Sequence, residues 1–187
     1  MHKPMLVLVD MQKEYAATAS SAALGGVDAA IGNCRRALAH ARRAGIQVAF
    51  VRWRAGSAFF QPAAPFSGWI DGFIPTRDDA VFERSCPSCY ASAPFADMMA
   101  LSGSRVVLAG FAGEAACLAT AIDAFHRGQR VTFLEDASAS HGLGEFDASK
   151  VHGVISRVLE IYGNVCSTQS WIASTATRRT ARHESHV

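Results

Sequence analysis

The stretch from Arg105 to Ser140, RVVLAGFAGEAACLATAIDAFHRGQRVTFLEDASAS, limits the possible folds more than any other part of the chain. Val106, Val107 and Leu108 form a short apolar run, the pattern of a strand covered on both faces. Gly110 and Gly113 relax the backbone as it leaves the sheet. Glu114 to Arg127 is rich in Ala and Leu, with Leu118, Ala121, Ile122 and Phe125 at helical spacing, and Gly128 is placed to end the helix. Val131 to Leu134 then returns to strand. A parallel strand–helix–strand unit brings its strand ends and helix N-termini to one edge of the sheet, where ligands tend to bind. Cys117 falls in the first turn of this helix, where the helix dipole draws a thiol toward thiolate.

The same alternation extends in both directions. Met5 to Val9 reads as a buried strand ending in Asp10, Ala29 to Arg43 as a helix, Gln47 to Arg52 as a second strand and Ala80 to Glu83 as a short third. Ala91 to Leu101 is helical. Lys150 to Tyr162 is a helix with Val151, Val154, Ile155, Val158 and Leu159 as its apolar stripe. Val165 to Ser167 is a sixth strand, followed by a short helix holding Trp171. Strands alternating with helices imply an α/β fold, a parallel sheet covered on both faces. The 187 residues suit one domain, assigned to residues 1–176, with a frayed polar tail over residues 177–187. Ala55 to Asp79 breaks the pattern. It carries Phe59, Phe60, Phe66, Trp69 and Phe73 among Gly, Pro and Ser, and reads as a packed surface flap or as a substrate lid or subunit contact.

Several functions are excluded by composition. A net charge of +2 with scattered arginines gives no reason to expect nucleic acid as a partner. No run of about 18 apolar residues exists to span a membrane. The opening MHKPMLVLVDMQ is not a signal peptide, and five cysteines is an odd number, so the thiols are expected to be reduced and the protein cytoplasmic. Cys86-Pro-Ser-Cys89 has no second Cys or His pair for zinc, and no redox or metal role is assigned to it. Cys34 and Cys166 read as core thiols.

Asp10 is the first candidate for chemistry. A carboxylate at a strand end, beside apolar side chains, is partly desolvated, and its pKa should rise into a range suited to proton transfer. The alternative is a capping role.

The central unit resembles the isochorismatase-like hydrolases, the superfamily of nicotinamidases, carbamoylsarcosine-type amidases and true isochorismatases. Their signature is G-V-x-T-D/E-x-C-V-x-x-T-A-x-D-A, with cysteine as nucleophile. This chain reads G-F-A-G-E-A-A-C-L-A-T-A-I-D-A. Anchored on Thr120, Asp123 and Ala124, the nucleophile position is Ala116, and Cys117 falls where the cysteine amidases usually carry valine; this register turns the Cys117 sulfur into the packing between helix and sheet, as an unactivated core thiol. The pattern is closer to that of true isochorismatases, with glycine at the nucleophile position and often cysteine after it. LVLVDMQKEY matches the family's first-strand motif. In DAVFERSCPSCY the family's lysine position is Arg84, which keeps the positive charge but cannot readily give up its proton.

The resemblance implies a three-layer, Rossmann-like fold with strand order 3-2-1-4-5-6. It implies Asp10 and Arg84 as catalytic residues, with Cys117 as a further candidate, and Gln12, Trp53, Tyr90, Ala112, Gly113 and Ala116 around the substrate. Nicotinamidases place an aspartate and histidines after the second strand. VRWRAGS has neither, so no catalytic metal and no cofactor are expected, and Trp53 reads as a pocket wall. Asp136 is read as structural, His126 as solvated and His141 as approaching the edge of the site.

Three functions follow. The first is a metal-free hydrolase of a small, carboxylate-bearing molecule, acting without a covalent intermediate, with Arg84 holding the carboxylate. The second is a cysteine amidase whose Cys117 is shifted by a helix distortion, against which stands the rotation of about 100° per helical residue. The third is a ligand-binding or scaffold protein that has lost catalysis. A homo-oligomer, most simply a dimer, is expected from the apolar Phe59–Phe73 segment.

Overall fold

The computed structural model describes residues 4–20, 22–54, 66–102 and 105–184. Its elements run β1 (Met5–Val9), α1 (Asp28–Ala44), β2 (Gln47–Trp53), β3 (Ala80–Arg84), α2 (Ala93–Ser102), β4 (Arg105–Gly110), α3 (Leu118–His126), β5 (Arg130–Ser138), α4 (Ala148–Leu159), β6 (Gly163–Cys166) and α5 (Thr168–Glu184). The strands form one sheet in the order β3-β2-β1-β4-β5-β6, every neighbouring pair parallel. All five residues of β1 are buried, because this strand lies in the middle of the sheet with helices on both sides.

Side-chain alternation along the strands divides the core in two. Leu6 and Leu8, with Phe50, Val107 and Leu134, pack against Ile31, Cys34 and Leu38 of α1 and Trp171 of α5. Met5, Val7 and Val9, with Val51, Leu108 and Phe133, pack against Phe95 and Met99 of α2, Ala121 and Ala124 of α3, and Leu159 of α4. The chain winds outward from β1 in one direction and from β4 in the other. The crevice between the C-terminal ends of β1 and β4 is therefore the point where the strand order reverses, and doubly wound folds bind ligands there.

Local differences from the sequence reading have physical causes. The helix expected to open at Glu114 begins with a π turn over Gly113–Cys117, in which the Cys117 N–H reaches back five residues to the Ala112 carbonyl. The expected stripe on α3 is displaced: Thr120, Ala121 and Ala124 are buried while Phe125 is 47% exposed. On α4, Val151 and Leu159 face the core and Val154 is exposed. On α3 the small residues take the inward positions, where a close-packed sheet face leaves little room. The final helix is longer than the short one expected and runs from Thr168 to Glu184.

The described half of the aromatic segment belongs to the fold. Ile70 and Phe73 are buried, Trp69 packs edge-on against Phe50, and Gln12 and Trp69 form an isolated antiparallel bridge. Phe59 and Phe60 lie outside the described residues. No helix among the described residues is long and apolar enough to cross a membrane.

Candidate active site

Asp10 follows β1 directly and adopts a left-handed backbone conformation, φ 49°. Its N–H donates to the Val51 carbonyl at 2.8 Å, and its own carbonyl accepts from the Gln12 N–H at 2.7 Å. This tight turn holds the carboxylate at the reversal point. A non-glycine residue with positive φ costs free energy, on the order of 1–3 kcal/mol, and such strain gathers at functional sites.

The carboxylate is fully buried, as is Arg84 at the end of β3. Arg84 Nη2 donates to Asp10 Oδ2 in a buried ion pair, and Arg84 Nη1 donates to the Cys86 carbonyl at 2.6 Å. The guanidinium lies over the Trp53 ring, 3.8 Å from its centroid. The register of β2 and β3, which pairs Trp53 with Arg84, produces this stack. Tyr15, in the short 3-10 turn Lys13–Tyr15, donates its hydroxyl proton to Asp10 Oδ2 at 3.2 Å. Two buried atoms of the cluster, Asp10 Oδ1 and Arg84 Nε, have no hydrogen-bond partner among the described residues. One needs a donor and the other an acceptor, as water or a substrate hydroxyl provides.

Burial raises the Asp10 pKa from 3.8 to about 6, while Arg84 and the hydrogen bond from Tyr15 hold it down. That value suits a group that gains and loses a proton near neutral pH. Burial and the neighbouring Asp10 charge push the Tyr15 hydroxyl well above its ordinary range, so it stays a donor.

Cys117, the last residue of the π turn, is fully buried, with its sulfur 3.6 Å from the Gly110 carbonyl and 3.9 Å from Ser138 Oγ. Burial pushes its thiol well above the ordinary cysteine range. Loss of hydration therefore outweighs the pull of the helix dipole, and the sulfur packs between helix and sheet as the motif register implies. Ala116 is also buried, packed in the same core layer as Val9, Val51 and Cys89. Ala112 and Gly113 are buried at the start of the π turn, and the Gly113 N–H is already taken by the Ala139 carbonyl at 2.8 Å.

Gln12 is buried with its amide spanning two backbones: Oε1 accepts from the Trp53 N–H at 3.1 Å and Nε2 donates to the Ser67 carbonyl at 3.3 Å. It braces the site from behind. Tyr90 is directed elsewhere, with its ring 5.1 Å from Phe95, its hydroxyl bonded to Gln129 and Arg127 over its face. Arg127 and Gln129 follow the C-terminal end of α3, and Phe95 lies on α2. Asp136 Oδ1 accepts from both the N–H and the hydroxyl of Thr168 at 2.7 Å and so caps α5, the structural role expected of it.

Residues that sequence reasoning passed over complete the surroundings. Tyr15 stands five residues after Asp10 in the DMQKEY motif, and its motif position was the available signal. Glu114 Oε1 lies 2.7 Å from His141 Nδ1, and His141 Nε2 reaches the Ala22 carbonyl at 3.1 Å. The His141 ring contacts Tyr15 at 6.3 Å, so His141 does reach the edge of the cluster. His152 Nε2 lies 2.8 Å from the Glu135 carbonyl, which fixes its proton there and makes Nδ1 the acceptor for Ser140 Oγ at 3.1 Å. Cys86 is exposed and Cys89 buried, and both are free. His126 is exposed. Among the described residues no group of three or more His, Cys, Asp or Glu is placed to hold a metal ion.

A hollow of about 420 Å3 runs beside β3 and reaches Arg84, Ser85 and Arg54. A larger one, about 810 Å3, lies at the opposite sheet edge between Arg105, Arg130, Tyr162 and Trp171 and touches no member of the Asp10 cluster. The smaller hollow is the one that reaches a member of the Asp10 cluster, which makes the strained, buried carboxylate at the reversal point the candidate site.

These features define a doubly wound α/β protein with a candidate carboxylate-centred site at its switch point. The chain belongs to the isochorismatase family, whose domain matches residues 4–170, and members of that superfamily are hydrolases. It is similar to an isochorismatase from Pseudomonas putida, at 26% identity over 90% of this chain and 89% of that one, with a TM-score of 0.81. A cysteine hydrolase from Pseudomonas syringae shares the fold at 19% identity and a TM-score of 0.84, over 94% and 93% of the two chains. The N-carbamoylsarcosine amidase from Thermoplasma acidophilum shares it at 24% identity and a TM-score of 0.70, over 89% and 96%. Comparison with curated proteins finds no match.

Proposed function

We propose that the protein is a metal-free hydrolase of a small, carboxylate-bearing molecule that works by proton transfer at Asp10, without a covalent cysteine intermediate. The observation that carries this reading is the asymmetry between the two candidate groups. Asp10 is poised with a pKa of about 6, whereas Cys117 is a core thiol held in its neutral form and Ala116 has no reactive group. Protonated Asp10 gives its proton to the terminal carbon of a vinyl ether, which leaves an oxocarbenium ion. Water adds its hydroxide to the ether-bearing carbon and returns its proton to Asp10, and the hemiketal so formed collapses to a ketone and an alcohol. A vinyl ether suits that sequence because protonation of its carbon is what makes the C–O bond labile.

Arg84 serves this chemistry as the fixed positive charge beside Asp10. Each Nη makes one bond, to Cys86 or to Asp10, and Nε is the guanidinium nitrogen that has no partner among the described residues, so it can donate to a substrate carboxylate. The π turn is the kind of distortion that a shifted Cys117 nucleophile would need, but the burial of its sulfur stands against that role.

The test is a panel of vinyl-ether carboxylates and small amides assayed with the wild type, Asp10→Asn and Cys117→Ser. Asp10→Asn should lower kcat/KM by about 10²–10⁴-fold, and Cys117→Ser should stay within a few-fold. Loss of activity in Cys117→Ser, with fast alkylation of Cys117 at neutral pH, would instead establish a cysteine amidase. A second reading, ligand binding without turnover, is favoured by one observation, the burial of both Asp10 and Arg84. Binding of a panel compound in calorimetry with no product formed would select it.

A further inference from the structure

The polar atoms around Asp10 are not distributed evenly over its two oxygens. Arg84 Nη2 and the Tyr15 hydroxyl both donate to Oδ2, and Oδ1 has no partner among the described residues. Tyr15 is itself held: the Trp53 side chain makes a hydrogen bond to its hydroxyl, and the indole N–H is the only donor that side chain has. Trp53 also supplies the ring under the Arg84 guanidinium. Asp10, Tyr15, Trp53 and Arg84 thus close into a ring of contacts, each member touching two others, with the Tyr15 ring braced 5.9 Å from Phe111.

We propose that Tyr15 is a positioning residue of the site: held by Trp53, its hydroxyl shares Oδ2 of Asp10 with Arg84 and so leaves Oδ1 as the atom that exchanges the proton. The proposal rests on the reading of Asp10 as the proton carrier. It adds a residue to the machinery and specifies which oxygen reacts. A carboxyl that could rotate freely would present either oxygen and would lose part of its orientation in each turnover. With two donors fixed on one oxygen, rotation breaks both bonds, and the second oxygen is kept for the substrate. A phenylalanine at position 15 would fill the same space and pack on Phe111, but it could not hold the carboxyl.

The hydrogen bond from Tyr15 favours the charged form of Asp10. The other titratable groups that act on Asp10, among the described residues, are Arg84 from the end of β3, Cys89 from the Cys89–Ala91 turn and Cys117 from the π turn. Burial raises Cys89 to about 12 and Cys117 higher, so neither changes charge near neutral pH.

The experiment is a carbon-detected NMR titration of the Asp10 side-chain carboxyl in the substrate-free protein, wild type against Tyr15→Phe. Removing one hydrogen bond to the charged form should raise the Asp10 midpoint by about half to one pH unit. Trp53→Phe keeps an aromatic ring under Arg84 but removes the indole N–H, and should move the midpoint the same way by less. It also serves as the reporter if Tyr15→Phe does not fold. An Asp10 midpoint that stays at the wild-type value in a folded variant overturns the proposal. No substrate is needed, so the titration can fail while Asp10→Asn still abolishes hydrolysis, and it can succeed even if Asp10 is not the proton carrier.

Discussion

Asp10 is taken out of water without being fully neutralised, which suits it to the proton transfer proposed for it. Its folded-state pKa of about 6 lies above the ordinary 3.8, so the folded protein binds a proton that the unfolded chain releases. The stability that this proton contributes is fully present below pH ~4 and is lost as pH rises through ~6, by an amount on the order of 2–3 kcal/mol. Urea unfolding at pH 4.5 and pH 7.5 should therefore show a fall in stability for the wild type relative to Asp10→Asn, which has no such proton to lose. Equal slopes for the two proteins would mean that Asp10 is not desolvated. Gly110 is the second residue on which the site depends. It takes φ 114°, and a Cβ there would lie 2.0 Å from the Val9 carbonyl oxygen. Gly110→Ala should cost more than about 4 kcal/mol, read as loss of the cooperative thermal transition, because it separates β4 from β1 at the point where Asp10 is presented.

At the scale of elements, the π turn and the loop after β5 hold the far side of the site together through Glu114 and His141. The hydrogen bond between them raises the His141 pKa, and although burial alone would raise that of Glu114, its bond to His141 brings it below the ordinary value. The His141 contribution is present below pH ~6.5 and lost above its raised pKa. The Glu114 contribution is present above pH ~4.5 and lost below its lowered pKa. The tie is thus strongest between these limits. Glu114→Gln should lower Tm by a few degrees, ~2–4 °C per kcal/mol for a chain of this size, at pH 5.5 and by less at pH 8.5. Equal losses at both values would show that the pair is not ionic. The π turn also explains why a helical wheel misjudges α3. Its wider first turn shifts the phase of every later residue, so the buried set becomes Thr120, Ala121 and Ala124 rather than a stripe that includes Phe125.

For the whole molecule, we propose a homodimer, on different ground from the sequence expectation. Ile70 and Phe73 are consumed by the protein's own core, whereas Phe125, Val154 and Ile161, on or just after α3 and α4, are 47%, 61% and 72% exposed. Phe125 meets Tyr162 edge-on at 5.6 Å, so α3 and the end of α4 present a joined surface. Light scattering should give a species of about 40 kDa, twice the 19.9 kDa chain, and Val154→Glu with Ile161→Glu should shift it toward the monomer. A single ~20 kDa species at micromolar concentration would remove the proposal.

The layer order, the strand ends and the position of Asp10 were legible in the residues alone, because they depend on local periodicity and on a short motif around one strand. Arg84 was legible as a position in a motif. Its partner was not: the β2–β3 register decides that the guanidinium stacks on Trp53 and spends its Nη donors on Asp10 and Cys86. The motif register already turned Cys117 toward the core as an unactivated thiol; what the tertiary structure adds is its neighbours, the Gly110 carbonyl and Ser138, and a burial that outweighs the helix dipole. Tyr15 stood unread within five residues of Asp10, since a hydrogen bond across a tight turn leaves no periodic trace. Pattern along the chain determines which residues reach the sheet edge. Which of their atoms remain free for chemistry is decided by contacts between elements far apart in sequence, and those exist only once the chain has folded.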